Sequence, residues 1–363
     1  MVASFENPGL QVTPDHKLEL IEAPVHTPGP GDVLLHIKAC GICGSDIHFW
    51  KHGRIGELRF EGNCILGHEA SGVVVKVGDG VTNVVEGDRV AIEPQVPCGQ
   101  CYLCMDGNYN LCPDVQFSGV YPYDGAIQRY KLHRARFVHK MPDNMTFAQG
   151  ALVEPLSVAY HGIQKALVGS PNVDHLGRGI MISGAGTIGL CTLLLAKASG
   201  ASTLVISDIS ETRLEFAKSL VPEVKTYKVD KALNHKENAK EIRKLFGTTE
   251  YEAPTVVYEC TGVASGILTG AFTVRRSGTL LVIGVGSDEI DHFPFMHLSL
   301  AEIDVKFINR YHDSWPAVIN LIANKVISVD KLVTHRFPIE RAVDAFNAVI
   351  TPEANSVKVL IED

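Results

Sequence analysis

Apolar residues occur along this chain in two textures. Over roughly the first 150 residues they form short runs, such as VLLHIKA (33–39), EASGVVVKVGDGV (69–81) and GDRVAIEP (87–94), broken by turn residues such as PGPGD (28–32). Short apolar runs between Gly, Pro and Asp turns predict a mostly β domain. After Glu154-Pro155-Leu156 the texture changes. Residues 179–209, GIMISGAGTIGLCTLLLAKASGASTLVISDI, read as an apolar strand, a glycine turn, an apolar helix and a second apolar strand, which is the βαβ rhythm of a parallel sheet. Further strands are predicted at Thr255–Glu259 and Thr279–Ile283, with helical patterns between and before them. The lysine-bearing stretch Val224–Lys244 reads as a solvated helix face, because its charges alternate with acids and apolar residues. From about Leu298 the tail holds another strand pattern, helices and a last strand, Val357–Ile361, expected to return to the first domain.

Composition narrows the class of ligand. Of 363 residues 45% are hydrophobic and 20% charged, enough apolar material for a sizeable core and too little charge for a disordered chain. There are 33 Lys+Arg against 41 Asp+Glu, a net charge of -8. Without a basic block, neither nucleic acid nor an anionic membrane is an expected partner. A small molecule is. The N-terminus shows no charged segment followed by an apolar one, and no apolar stretch reaches about 18 residues, so a cytoplasmic location is expected. Nine cysteines, an odd number with four of them between residues 98 and 112, argue against a disulfide framework and for metal.

Gly184-Ala185-Gly186-Thr187-Ile188-Gly189 fits G-x-G-x-x-G. It follows an apolar strand and opens a helix, the context in which the first Gly makes the turn, the second admits a pyrophosphate and the third lets helix and strand pack. The pyrophosphate would sit on a helix N-terminus. Asp208, 19 residues after Gly189, is placed to accept hydrogen bonds from both ribose hydroxyls of NAD and to repel the 2′-phosphate of NADP. It is followed by Ile209 rather than by an Arg. Arg213 is a weaker candidate for the adenosine side.

Two cysteine patterns suggest two metals. Cys98-x2-Cys101-x2-Cys104-x7-Cys112 supplies the four thiolates of a closed structural zinc site; an iron–sulfur cluster or two disulfides are the alternatives, though ferredoxin spacings do not match. Cys43, His68 and Glu69 are a thiolate, an imidazole and a carboxylate that would leave a fourth zinc position open, as catalysis requires. Glu154 is a further carboxylate for orienting water or substrate. Taken alone, Cys43 or His68 would more often be a packed core residue, and Cys40 with Cys43 also spells a C-x-x-C redox pair. That pair would leave His68 and Glu69 without a role. Cys40, Cys64, Cys191 and Cys260 read as small buried residues.

Together these motifs, Gly67-His68-Glu69-x2-Gly72-x5-Gly78-x2-Val81, the Gly-Ile-Cys43-Gly-Ser-Asp segment, the four-cysteine lobe and Gly184–Gly189, give a chain that resembles the zinc-containing medium-chain alcohol dehydrogenases over essentially its full length. Cys43 to Trp50, Gly53 to Gly56, Glu154 to Ser157 and Arg310-Tyr311 look like the polyol branch, which includes sorbitol, xylitol and L-arabinitol 4-dehydrogenases. Ala91 to Val96, Glu259 to Val263, Ile283 to Gly286 and Leu332 to Pro338 look closest to the last of these.

The resemblance implies an α/β protein with a GroES-like β-rich catalytic domain (1–156), a Rossmann NAD-binding domain (157–298) and a segment (299–363) returning to the first. It implies Cys43, His68 and Glu69 as catalytic zinc ligands with Glu154 near the metal, and Ser45 and His48 in proton relay. It further implies Thr187, Ile188, Ile209, Thr261 and Val285 beside the glycines, Asp208 and Arg213 at the coenzyme, and Phe49, Leu58, Glu154, Arg310 and Tyr311 around the substrate. Leu58, Asn309 and His312-Asp313-Ser314 depart from the commoner residues of relatives and bear on which alditol is preferred. The expectation is a homotetrameric zinc- and NAD-dependent polyol dehydrogenase, with L-arabinitol the first choice of substrate and sorbitol, galactitol or xylitol the alternatives. A zinc-independent reductase of the same fold would lack the Cys43, His68 and Glu69 set, and a non-catalytic NAD-binding redox sensor would not need it.

Overall fold

The computed structural model describes residues 6–169, 174–286 and 289–363. The chain forms two compact units: the residues up to Glu154 together with Trp315–Asp363, and Pro155–Ser314.

The first unit is organised on β1 (Asp32–Gly41), ten residues long and mostly buried. Beyond its end Cys43 caps α1 (Gly44–His52), which stops at Gly53 in the left-handed conformation. β2 (Glu69–Val77), β3 (Arg89–Ile92), β4 (Tyr130–Arg134) and β5 (Val138–Lys140) complete the N-terminal part. β2 lies antiparallel to β1 with Gly41 opposite Glu69, while β4 pairs the first half of β1. Alternate residues of β1, including Val33, Leu35 and Ile37, enter a core with Val74, Val90 and Ile92. That is the period-two burial that the apolar runs predicted.

The chain continues on α2 (Val153–Leu167) into the second unit. There β6 (Gly179–Ser183), α3 (Thr187–Ala198), β7 (Thr203–Asp208), β8 (Lys225–Lys228), α4 (His235–Lys244), β9 (Val256–Glu259), β10 (Thr279–Val282) and β11 (Asp304–Phe307) follow in order. The six strands are parallel in the order β8-β7-β6-β9-β10-β11. This is the doubly wound Rossmann order, whose direction reverses between β6 and β9. Two expectations change. The stretch 224–244 is not one helix: Lys225–Lys228 is the sheet's edge strand, where lysines discourage further pairing, and the helix begins only after the Asn234 cap, which accepts from the Lys236 and Glu237 N–H groups. The second unit also runs to Ser314 rather than 298, because 304–307 supplies its sixth strand.

Returning to the first unit, the chain adds β12 (Val333–Pro338) and β13 (Lys358–Glu362). β13 pairs antiparallel with the end of β1, Leu360 opposite Gly41. The sheet order is therefore β5-β3-β2-β1-β13-β12. No helix among the described residues is long and apolar enough to cross a membrane.

Buried histidines make the fold acid-sensitive. His175 is 1% exposed, with Nε2 2.7 Å from the Tyr258 hydroxyl. Burial pushes its pKa down from 6.5 to about 4, only partly opposed by Asp174. The unfolded chain takes up this proton near 6.5 and the folded chain only near 4, so the stability is complete above pH 6.5 and is lost progressively as pH falls towards 4. His175→Gln is expected to flatten the fall of melting temperature across that window, as followed by thermal denaturation at a series of pH values. An unchanged slope would show that other groups carry it.

Candidate active site and coenzyme edge

The first site is held by a carboxylate that does not belong to the donor set. Asp46, fully buried on α1, accepts the Cys43 N–H on Oδ2 (2.8 Å) and the Gly67 N–H on Oδ1 (3.2 Å). Its Oδ1 stands 3.5 Å from His68 Nδ1. One side chain thus ties the segment carrying Cys43 to the one carrying His68. Gly67 turns the chain into β2 at φ +94°, and a Cβ there would come within 2.5 Å of Ile127 Cγ1 and 2.8 Å of Cys40 Sγ. No other residue fits.

Ligand atoms of Cys43, His68 and Glu69 lie within 4.8 Å of one another. His68 and Glu69 are buried and Cys43 is half-buried. His68 Nδ1 stands against Asp46 Oδ1, and Glu69 Oε2 lies 2.6 Å from the Lys358 ammonium, off the hydrogen-bonding direction, so the fit to a metal rests on the chemistry of the three donors. Burial pushes the His68 pKa down, but Asp46 and Cys43 more than reverse this and hold it well above its ordinary value. The pocket therefore favours positive charge. A thiolate, an imidazole and a carboxylate so arranged fit a zinc-type ion with a coordination position left over. Glu69 is also paired within the protein: Lys358 Nζ, on β13, donates to its Oε1 at 2.7 Å.

The other expected residues are placed as follows. Ser45 Oγ is 3.5 Å from His68 Nε2. His48 is exposed on α1, with Nδ1 2.9 Å from the Arg54 carbonyl and its ring 4.6 Å from that of His52. Glu154 is buried at the start of α2 and stands outside the three-donor group. Phe49 is packed in the core, stacked on Phe60 with ring centroids 4.6 Å apart, and Leu58 is exposed. Arg310, at φ +55°, and the fully buried Tyr311 belong to the second unit.

The four remaining metal-type thiols also converge. Cys98, Cys101, Cys104 and Cys112 have Sγ atoms within 4.8 Å of one another, with Cys101–Cys104 at 3.4 Å and Cys98–Cys104 at 3.9 Å. None is in a disulfide. Zn–S bonds of about 2.3 Å in a tetrahedron put sulfurs roughly 3.8 Å apart, so the spacing fits one ion; the thiolates of a polynuclear cluster stand further apart.

In the second unit the expected coenzyme residues gather at the C-terminal ends of the parallel strands, where such sheets bind ligands. Gly184 turns at φ +98° after β6, and a Cβ on Gly189 would lie 1.8 Å from the Gly184 carbonyl oxygen, whereas one on Gly186 would meet nothing within 4 Å. Gly186, Thr187 and Ile188 thus open α3, with space at the Gly186 Cβ position. Asp208 ends β7, its Oδ2 accepting the Ala185 N–H and its Oδ1 the Ser210 N–H, both at 2.8 Å. Ile209 beside it and Arg213 on the following helix are exposed. Thr261 follows β9 and Val285 follows β10. The first is fixed by Glu259, which accepts the Thr261 N–H at 2.9 Å and the Gly262 N–H at 2.8 Å; the second is exposed.

With this geometry in place, the chain matches the alcohol dehydrogenase GroES-like domain over residues 29–143 and the zinc-binding dehydrogenase domain over residues 187–324. It belongs to the zinc-binding alcohol dehydrogenase family. L-arabinitol 4-dehydrogenase of Aspergillus niger is 45% identical over 337 residues, 92% of this chain and 85% of that one. Sorbitol dehydrogenase of Gallus gallus is 40% identical over 362 residues, 100% of this chain and 98% of the relative. Among solved structures, a zinc-binding dehydrogenase of Sinorhizobium meliloti bound to NADP has a TM-score of 0.86 at 26% identity, covering 99% of this chain and 100% of that one.

Three residues beside these sites are given no role of their own by the sequence. Asp46 shows itself only as the third residue of a helix whose cap is Cys43. Lys358 is a lone lysine in an otherwise apolar strand, and Glu259 a lone carboxylate at a strand end. Asp46→Asn is expected to weaken metal binding at Cys43, His68 and Glu69 by roughly 10- to 100-fold, with the four-cysteine metal untouched. Cys43→Ser should remove the first metal and all turnover, and Cys101→Ser the second metal together with thermal stability. Metal analysis of the three purified variants checks this. Equal metal loss from both sites in any one of them would refute the independence of the two.

Proposed function

We propose that this protein is a zinc- and NAD-dependent polyol dehydrogenase that oxidises a secondary hydroxyl of an acyclic alditol to a ketose, with L-arabinitol, oxidised at C4, as the preferred substrate. The observation that carries the reading is the convergence of Cys43, His68 and Glu69 in a chain whose other unit is a dinucleotide-type sheet. The substrate class follows the relatives, among which L-arabinitol 4-dehydrogenase and sorbitol dehydrogenase are 40–45% identical.

Cys43, His68 and Glu69 would hold the zinc, whose chemistry when bound is Lewis acidity that lowers the pKa of a hydroxyl at the open position. NAD supplies the hydride acceptor. The chain's own residues manage the proton. Ser45, next to His68 Nε2, accepts it from the substrate hydroxyl on its oxygen while passing on its own hydroxyl proton. His48 relays it outward: its Nδ1–H donates to the Arg54 carbonyl, which leaves Nε2 with a lone pair. Glu154, a buried carboxyl, selects a neighbouring hydroxyl, since a buried polar group penalises an alditol that lacks the hydroxyl or carries it inverted.

Asp208 favours NAD. Two backbone amides fix its carboxylate, and its charge repels a 2′-phosphate. A matched structure of this fold binds NADP, so the fold alone does not select NAD, and we assign that selection to Asp208. Nine free cysteines support a reducing, cytoplasmic setting, and we place the enzyme there as a homotetramer, to be checked by light scattering on the eluted peak.

Initial rates on L-arabinitol, xylitol, D-sorbitol, galactitol and ribitol, each with NAD and NADP, test the proposal. L-arabinitol with NAD should give the highest kcat/KM, and activity confined to simple primary alcohols would overturn the polyol reading. Asp208→Ser should lower the NAD-to-NADP ratio of kcat/KM by at least about tenfold. An unchanged ratio would remove Asp208 from coenzyme choice.

A further inference from the structure

Lys358 is a buried titratable group that the mechanism above leaves unused. We propose that Lys358 is a positioning residue that shares the Glu69 carboxylate with the catalytic metal and so limits how much negative charge this ligand gives the ion. The inference rests on the zinc reading of Cys43, His68 and Glu69.

Three separate contacts define the arrangement. The Lys358 ammonium, 2% exposed, donates to Glu69 Oε1 at 2.7 Å and lies 2.6 Å from Oε2, off the hydrogen-bonding direction. It also donates to the Ile42 carbonyl at 2.9 Å, the residue directly before Cys43. One ammonium therefore touches the segments of two of the three donors. Its place is set by the sheet rather than by the ion pair: Leu360 is opposite Gly41 in the β1–β13 ladder, and the Ile42 N–H donates to the Val359 carbonyl at 3.0 Å. Finally, Gly41 stands opposite Glu69 in the β1–β2 ladder, and a Cβ there would lie 2.1 Å from Glu69 Oε2. Its absence makes the niche in which the carboxylate folds back over β1 towards the ammonium.

A brace alone would not require this chemistry, because a buried ion pair is often no more stabilising than apolar residues of the same volume. What the pair changes is the charge seen by the metal. With Lys358 present, the Cys43 thiolate, Glu69 and the ammonium carry one negative charge in place of two. A divalent ion among them keeps net positive charge, the condition under which it polarises a hydroxyl. Without the ammonium the same carboxylate is free to neutralise the ion more fully. The metal would be held harder and act as a weaker acid.

The test uses holoenzyme with two zinc ions per chain and follows chelator-driven zinc release, with the four-cysteine zinc as internal reference, together with kcat and KM for L-arabinitol. Lys358→Met, which keeps the stem and removes the charge, is expected to slow release of the catalytic zinc by roughly tenfold. It should lower kcat by a similar factor, with KM changed by less than about twofold. Lys358→Arg should behave like the wild type. In a Glu69→Gln background, adding Lys358→Met should slow release no further. A merely structural lysine would instead speed release from Lys358→Met, and that result overturns the proposal. So does unchanged release with unchanged kcat, or equal slowing in the Glu69→Gln background. If Lys358→Met fails to fold, Lys358→Gln carries the same expectations. A wild-type chain that binds zinc only at the four cysteines would overturn the zinc reading itself, whereas two zincs with no slowing would overturn the role of Lys358 alone.

Discussion

A carboxylate and an ammonium almost cut off from water are tolerable only when paired, and in this chain Glu69 and Lys358 are 289 residues apart. The first unit's topology meets that condition. β1 lies at the centre, β2 on one flank begins with Glu69, and β13 on the other flank brings Lys358. Cys43 follows directly from the end of β1. The whole Rossmann unit is inserted between the partners of this pair in the chain, yet the pair closes only because the last strand is shared with the first unit.

The two units solve opposite electrostatic problems with the same backbone material. In the first, side chains of negative character are collected for a cation, and Asp46 uses two backbone N–H groups to hold them in place. In the second, the glycine loop leads into a helix N-terminus, the end of a helix that favours an anion, and one carboxylate, Asp208, is fixed by two amides at the end of β7. Asp46 and Asp208 work alike. Each is fixed by two backbone N–H groups, which orient its charge and stabilise it without a cationic side chain.

Much of this was legible before any coordinates. Period-two burial marked the β-rich unit, the glycine loop between an apolar strand and helix marked β6 and α3, and the spacing of the four cysteines marked their cluster. The misreadings share one cause. Lys225–Lys228 and Asp304–Phe307 are edge strands; the first is polar because one side faces water and lacks the apolar signal by which the inner strands were found, and the second reads as a strand but one belonging to the tail, because an edge strand's single partner does not show in sequence. That displaced the start of α4 and the end of the second unit. Lys358 went unweighted for a related reason: a single lysine among Val and Leu looks like a solvated interruption, and only the register of β13 against β1 shows that it points into the protein. Phe49, expected around the substrate, has its ring stacked on Phe60, a pairing that linear spacing does not reveal.

The separation along the chain of the two metal-type clusters also sets an order of assembly. A ribosome has released every thiol of the four-cysteine lobe by Cys112, and all three donors of the first site even earlier. Yet the countercharge for Glu69 arrives only 289 residues after it, with Lys358. A nascent chain thus carries every cysteine of the four-thiol lobe long before Lys358 can meet Glu69.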